Sequence, residues 1–123
     1  RAPRARRFAG AFLLRRADGA YLFRHRPATG LLAGMVELPS TPWLEDAATV
    51  ALAIGSALPP HIRPEPVPGH VRHRFTHLDL EVSLLRAQTS EPIAGLWAAP
   101  ARFGDLALPT LTRKLLRLGG LPA

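Results

Sequence analysis

The residues Arg72-His73-Arg74-Phe75-Thr76-His77-Leu78-Asp79-Leu80-Glu81-Val82-Ser83-Leu84 carry a dense polar cluster straight into strict alternation. Leu78, Leu80, Val82 and Leu84 recur at every second position, with Asp79, Glu81 and Ser83 between them, which is the period of a strand with one buried face. The strand is expected to run to about Ala87. Val71 to Arg74 reads as a second strand, leading to a turn at Phe75-Thr76-His77. A group of donors, acceptors and one aromatic ring at a strand's mouth is where a rigid sheet can offer a loop to a ligand. The competing reading is a solvated turn whose Phe75 folds back into the core.

Upstream, Phe8 to Leu14 and Ala20 to Arg26 are strand-like runs around Asp18-Gly19, a strong hairpin signal. Pro27 to Gly34 reads as a turn and Met35 to Leu38 as a short strand ended by Pro39. Trp43 to Leu58 has apolar residues at helical spacing, acids Glu45 and Asp46 in its first turn, and a stop at Pro59-Pro60. The proline-rich segment 61–69 is a loop or an edge strand, because proline cannot donate into a ladder. Ile93 to Ala98 supplies one more strand around Trp97. Pro109 opens a last helix to Leu118, with Leu111, Leu115, Leu116 and Leu118 inward, closed by Gly119-Gly120.

A chain of 123 residues with 47% hydrophobic content is one domain, large enough to bury a core unaided. It has no cysteine, so disulfides, a thiol nucleophile and Cys-ligated clusters are excluded. Its apolar runs are too short and broken to span a membrane and no leader opens it, so a soluble protein is expected. A start at Arg1 suggests a piece excised from a longer polypeptide. The net charge of +7 is concentrated at the front: residues 1–26 hold eight Arg against one acid, and the remaining basic and acidic residues cancel. Residues 1–7 then form a basic, mobile arm ahead of a domain at 8–120, and this arm suits a polyanion bound through phosphate neutralisation. The alternative is a solvated arm enriched in Arg by coding bias, since one basic residue of sixteen is Lys.

The run Arg24-His25-Arg26-Pro27, two residues, then Gly30-Leu31-Leu32-Ala33-Gly34-Met35-Val36-Glu37-Leu38-Pro39 resembles a segment of MutY-type adenine DNA glycosylases. Phe75-Thr76-His77 is similar to that family's lesion-reading loop. Trp97, the run Leu106 to Thr110, and Lys114 are similar to its closing strand and helix. The resemblance implies the family's C-terminal domain, an α+β (α/β) Nudix-like fold with a mixed sheet and helices packed on its faces. It further implies reading of 8-oxoguanine opposite adenine in duplex DNA, during base excision repair. Thr76 would accept from N7–H of the oxidised base, a main-chain N–H would donate to its C8 oxygen, Phe75 would wedge or stack, and His77, Arg74 and His73 would contact the lesion. Arg6, Arg7, Arg26 and Arg72 would contact phosphates. Adenine removal, and a 4Fe-4S cluster, would belong to an N-terminal catalytic domain of the same polypeptide. This chain itself would be non-catalytic, without cofactor or metal, a monomer, and cytoplasmic at a bacterial nucleoid.

The same fold raises the alternative of a Nudix nucleotide diphosphate hydrolase, whose glutamate-rich helix holds a divalent cation. After Glu45 and Asp46 the helix expected at 43–58 contains no acid, so it lacks the carboxylates Mg²⁺ needs. Glu37 is then a structural carboxylate rather than a metal ligand. His73 and His77 would share a face for zinc only on a helix, and alternation argues for strand. No serine has a nucleophile-elbow setting.

Overall fold

The structure, a computed structural model, describes residues 4–123. Among these, the elements follow as β1 (Ala5–Arg16), β2 (Tyr21–His25), β3 (Val36–Glu37), α1 (Ala47–Ala57), β4 (Glu65–Arg74), β5 (Leu78–Thr89), β6 (Leu96–Ala98), a 3-10 helix (Pro100–Asp105) and α2 (Thr110–Leu118). The strand order is β3-β2-β1-β5-β4, and β6 pairs with β2 off this path. β1 and β5 are parallel over their whole lengths, from Ala5 opposite Leu78 to Arg16 opposite Thr89, whereas the other pairs are antiparallel. This is a mixed α+β sheet with a helix on each face, the expected architecture.

β1 is the central strand, and its segment Ala9–Leu14 is buried on both faces, as an apolar run between two neighbours requires. On one face Leu111, Leu115 and Leu116 of α2 join Ala9, Ala11, Leu13, Leu80, Val82 and Leu84 in the main core. The other face carries α1. There a Cβ on Gly10 would stand 2.8 Å from Ile54 Cδ1, so the absence of a side chain lets the helix settle onto the strand. The β1–β2 turn is the expected one: Gly19 has φ +90°, and the Asp18 carboxylate accepts from the Ala20 N–H at 3.1 Å. The neighbouring Arg16 guanidinium, at 2.8 Å, holds that carboxyl down at about 2.

Several expectations are corrected. Arg1–Pro3 of the proposed arm lie outside the described residues, but Ala5, Arg6 and Arg7 are the first rungs of β1, opposite Leu78, Asp79 and Leu80. Ladder hydrogen bonds to β5 outweigh the polarity that made them look mobile, so the sheet begins at Ala5 rather than Phe8. The helix expected from Trp43 starts at Ala47, because Asp46 is its cap and accepts from the Thr49 N–H at 2.7 Å. The proline segment is an edge strand from Glu65, with an irregular register between Pro66 and His70. In α2 the buried fourth residue is Thr112, whose hydroxyl donates to the Val36 carbonyl at 2.9 Å, while Leu118 is only half-buried. The 3-10 helix at Pro100–Asp105 had no periodic signal. Among the described residues no helix is long and apolar enough to cross a membrane.

Candidate nucleic-acid interface

β4 and β5 converge on Phe75-Thr76-His77, which forms the turn of a hairpin: the Phe75 N–H donates to the Leu78 carbonyl at 2.7 Å, and Arg74 stands opposite Asp79. Thr76 and His77 are exposed and Phe75 is half-buried. The Arg4 guanidinium lies against the turn. It donates to the carbonyls of Thr76 at 2.7 Å, Leu78 at 3.2 Å and Phe75, and to the Asp79 carboxylate at 2.8 and 3.1 Å. These bonds, with Arg74 nearby at 3.4 Å, hold the Asp79 carboxyl below the usual carboxylate range.

A stack of rings supports the turn from within the fold. Phe75 lies nearly parallel to Trp43, centroids 5.5 Å apart and planes at 27°, and meets His73 edge-on at 4.8 Å. The Arg26 guanidinium sits 4.5 Å from the Trp43 centroid, and donates to Glu37 at 3.0 Å; Arg24 reaches the other oxygen of Glu37 at 2.8 Å. At the far end Lys114 Nζ lies 3.1 Å from His73 Nδ1. Burial, and secondly the Lys114 charge, push His73 below its ordinary range. An ammonium has only hydrogens to give, so Nδ1 accepts and the neutral ring carries its proton on Nε2.

Two of the residues expected to contact DNA are also engaged inside the fold. Phe75 is engaged with Trp43 and His73, so it anchors the turn and cannot enter a base step without leaving that stack. Arg26 is committed to Glu37 and Trp43, apart from the other arginines expected to meet phosphate. Trp43 was missed altogether, being assigned to a helix; the available sign was Asp46, a favoured N-cap residue that starts the helix only after it. Glu37 takes the structural part expected of it, between two arginines.

The remaining basic residues do meet. Arg6, Arg7, Arg72, His73 and Arg74 line a groove of about 480 Å³ together with Asp79 and Glu81. By strand period, the rows Arg6–Asp79–Arg74 and Phe8–Glu81–Arg72 project from one face, ahead of α1, and Arg7–Leu80–His73 from the other. The acids are partly occupied: Glu81 lies 3.4 Å from Arg72 and 3.6 Å from His70. Arg72 and Arg74 keep side chains about three-quarters exposed, at 75% and 73%, so their charges face water.

The NUDIX domain profile matches residues 10–118, and the chain belongs to that family. No curated protein matches it. Among solved structures, the MutT protein of Methanosarcina mazei Go1 superposes with a TM-score of 0.75 at 15% identity, covering 98% of this chain and 97% of that one. The C-terminal domain of mouse MUTYH, solved in complex with human PCNA, superposes with a TM-score of 0.65 at 25% identity, over 93% and 87%. A NUDIX hydrolase from Nitrosomonas europaea gives 0.66 at 14%, over 97% and 89%.

The fold is thus shared with a NUDIX hydrolase and with the C-terminal domain of MUTYH, and the residues decide how a divalent cation would fare. α1, Ala-Ala-Thr-Val-Ala-Leu-Ala-Ile-Gly-Ser-Ala, has no carboxylate along its length. Asp46 is used by the Thr49 amide and hydroxyl, and Glu37 by two arginines. Among the described residues no three His, Asp or Glu side chains gather into a ligand set. These residues do not fit a hard cation that needs several oxygens.

Proposed function

We propose that this NUDIX domain is a DNA-lesion reader of the adenine glycosylase type, recognising 8-oxoguanine opposite adenine in duplex DNA. The observation that carries it is the exposed Thr76-His77 turn, held rigid from two sides and bordered by an arginine-lined groove. Oxidised guanine has a hydrogen on N7 and an oxygen on C8, where guanine offers only the N7 acceptor. Thr76 supplies a hydroxyl that accepts the one, and turn N–H groups supply donors for the other. Arg6, Arg7 and Arg72 line the groove and suit phosphates, which fix register without reading sequence. His77, Arg74 and His73 flank the base. The likeness to the C-terminal domain of mouse MUTYH supports this reading, and the carboxylate-free α1 counts against a nucleotide hydrolase.

The test is direct. Duplexes containing 8-oxoguanine·adenine and guanine·adenine are titrated with the protein at fixed salt, alongside oxidised and normal nucleoside triphosphates with Mg²⁺. Preference for the lesion duplex is expected. Release of phosphate or pyrophosphate with no lesion preference overturns the proposal in favour of a nucleotide hydrolase.

A further inference from the structure

The four carbonyls of the turn are all engaged. Those of Phe75, Thr76 and Leu78 accept from the Arg4 guanidinium, and that of His77 accepts from the Ala5 N–H at 3.3 Å. The N–H groups of Thr76 and His77, by contrast, find no acceptor among the described residues. A turn treated this way offers a ligand donors and one hydroxyl, while its acceptor oxygens are withdrawn. The guanidinium alone among side chains has the geometry for this: a planar fork of five N–H groups serves three carbonyls and a carboxylate at once, which an ammonium cannot. Asp79 holds the fork in place through two contacts, at 2.8 and 3.1 Å.

We infer that Arg4 is a positioning residue that sets the hydrogen-bonding polarity of the Phe75-Thr76-His77 turn, so that the turn selects a ligand presenting an acceptor oxygen beside a donor N–H. This rests on the lesion-reading proposal for the ligand, but the clamp itself does not. With Arg4 gone, the Phe75 and Thr76 carbonyls regain freedom to face outward, while that of Leu78 keeps the Phe75 N–H, and a base edge bearing donors would be tolerated as well as one bearing acceptors. The turn would lose discrimination before it lost binding.

The experiment compares Arg4→Ala, Arg4→Lys and the unchanged 123-residue protein in two measurements. The first is amide hydrogen exchange at Phe75 and Ala5, with Val71 and Val82 as references in the same hairpin. Arg4→Ala is expected to speed exchange at Phe75 and Ala5 by about tenfold, the lower end of what charge-assisted bonds hold; the references stay unchanged. Arg4→Lys, which keeps the charge toward Asp79 without the fork, is expected not to rescue it. The second is the ratio of affinities for 8-oxoguanine·adenine and guanine·adenine duplexes, expected to fall about tenfold in both variants while guanine·adenine binding changes little. Unchanged exchange at Phe75 and Ala5, or full rescue by Lys, overturns the inference. If the turn loosens while the unchanged protein shows no lesion preference, the clamp stands and the lesion proposal alone fails.

Discussion

Replacing Thr76 by Val keeps the shape of the side chain and removes one oxygen. Thr76 is exposed and its hydroxyl bonds to nothing among the described residues; its backbone carbonyl, the atom that Arg4 holds at 2.7 Å, is untouched. The fold therefore loses no internal hydrogen bond, and stability should move by no more than about 0.5 kcal/mol, as for other surface changes. Binding is another matter. A base-edge contact is worth about 1–3 kcal/mol of discrimination, which is about 5- to 150-fold in the affinity ratio between lesion and undamaged duplex. Competition binding at constant salt with the two duplexes reads that ratio, and thermal melting reads stability. Thr76→Ser, which restores the hydroxyl, should recover most of the discrimination. Equal weakening on both duplexes, or a lowered melting temperature with the ratio unchanged, would falsify the role and leave Thr76 as a turn former.

Arg6→Ala combined with Arg72→Ala should weaken binding to all duplexes alike and reduce the magnitude of the salt slope, d log K/d log[salt], by about 2, as two released counterions require; an unchanged slope would remove the groove from the phosphate path. Truncating the first seven residues is a poorer test, since it would cut rungs of β1. Glu37→Gln leaves Arg24 and Arg26 short of a charged partner and frees the guanidinium over Trp43, so a loss of about 1–3 kcal/mol in urea unfolding is expected; no change in the midpoint would show the pair to be ornamental. For His73 the sign is fixed by its lowered folded pKa. Below about 6.5 the unfolded chain takes up a proton that the folded one resists, so stability should fall as pH drops from 6.5 through the folded value, and His73→Gln should flatten that part of the curve. A curve that steepens with pH in the opposite direction would place a cationic, stabilised imidazole there instead.

Strand periodicity made β5 legible, and Asp18-Gly19 marked the β1–β2 hairpin, because both are local signals that tertiary contacts reinforce. Arg6 and Arg7 were misread for the opposite reason: their strand state comes from a parallel partner at Asp79 and Leu80 that no local pattern reveals. Trp43 shows the same limit within the site. Apolar spacing swept it into a helix, whereas its ring is placed by contacts with Phe75 and Arg26, residues far apart in the chain. The Phe75-Thr76-His77 turn was located from sequence, yet the clamp that shapes it was not. Arg4 looked like one more charge in a basic arm, and only the parallel entry of β1 beside β5 brings its guanidinium to those carbonyls.

That parallel pairing also governs how the chain must acquire its structure. β1 and β2 can close as a hairpin within microseconds, but the second edge of β1 stays open until β5 has been made and the intervening chain has looped round, a non-local step that slows folding toward milliseconds or longer. Through that interval Phe8-Ala9-Gly10-Ala11-Phe12-Leu13-Leu14 is an uncharged apolar strand with an unpaired edge, the kind of segment that adds to copies of itself. It is bracketed by Arg4, Arg6 and Arg7 on one side and Arg15 and Arg16 on the other. Stacked in register, two such strands would set five arginines against five, so these residues act as gatekeepers of the nascent chain.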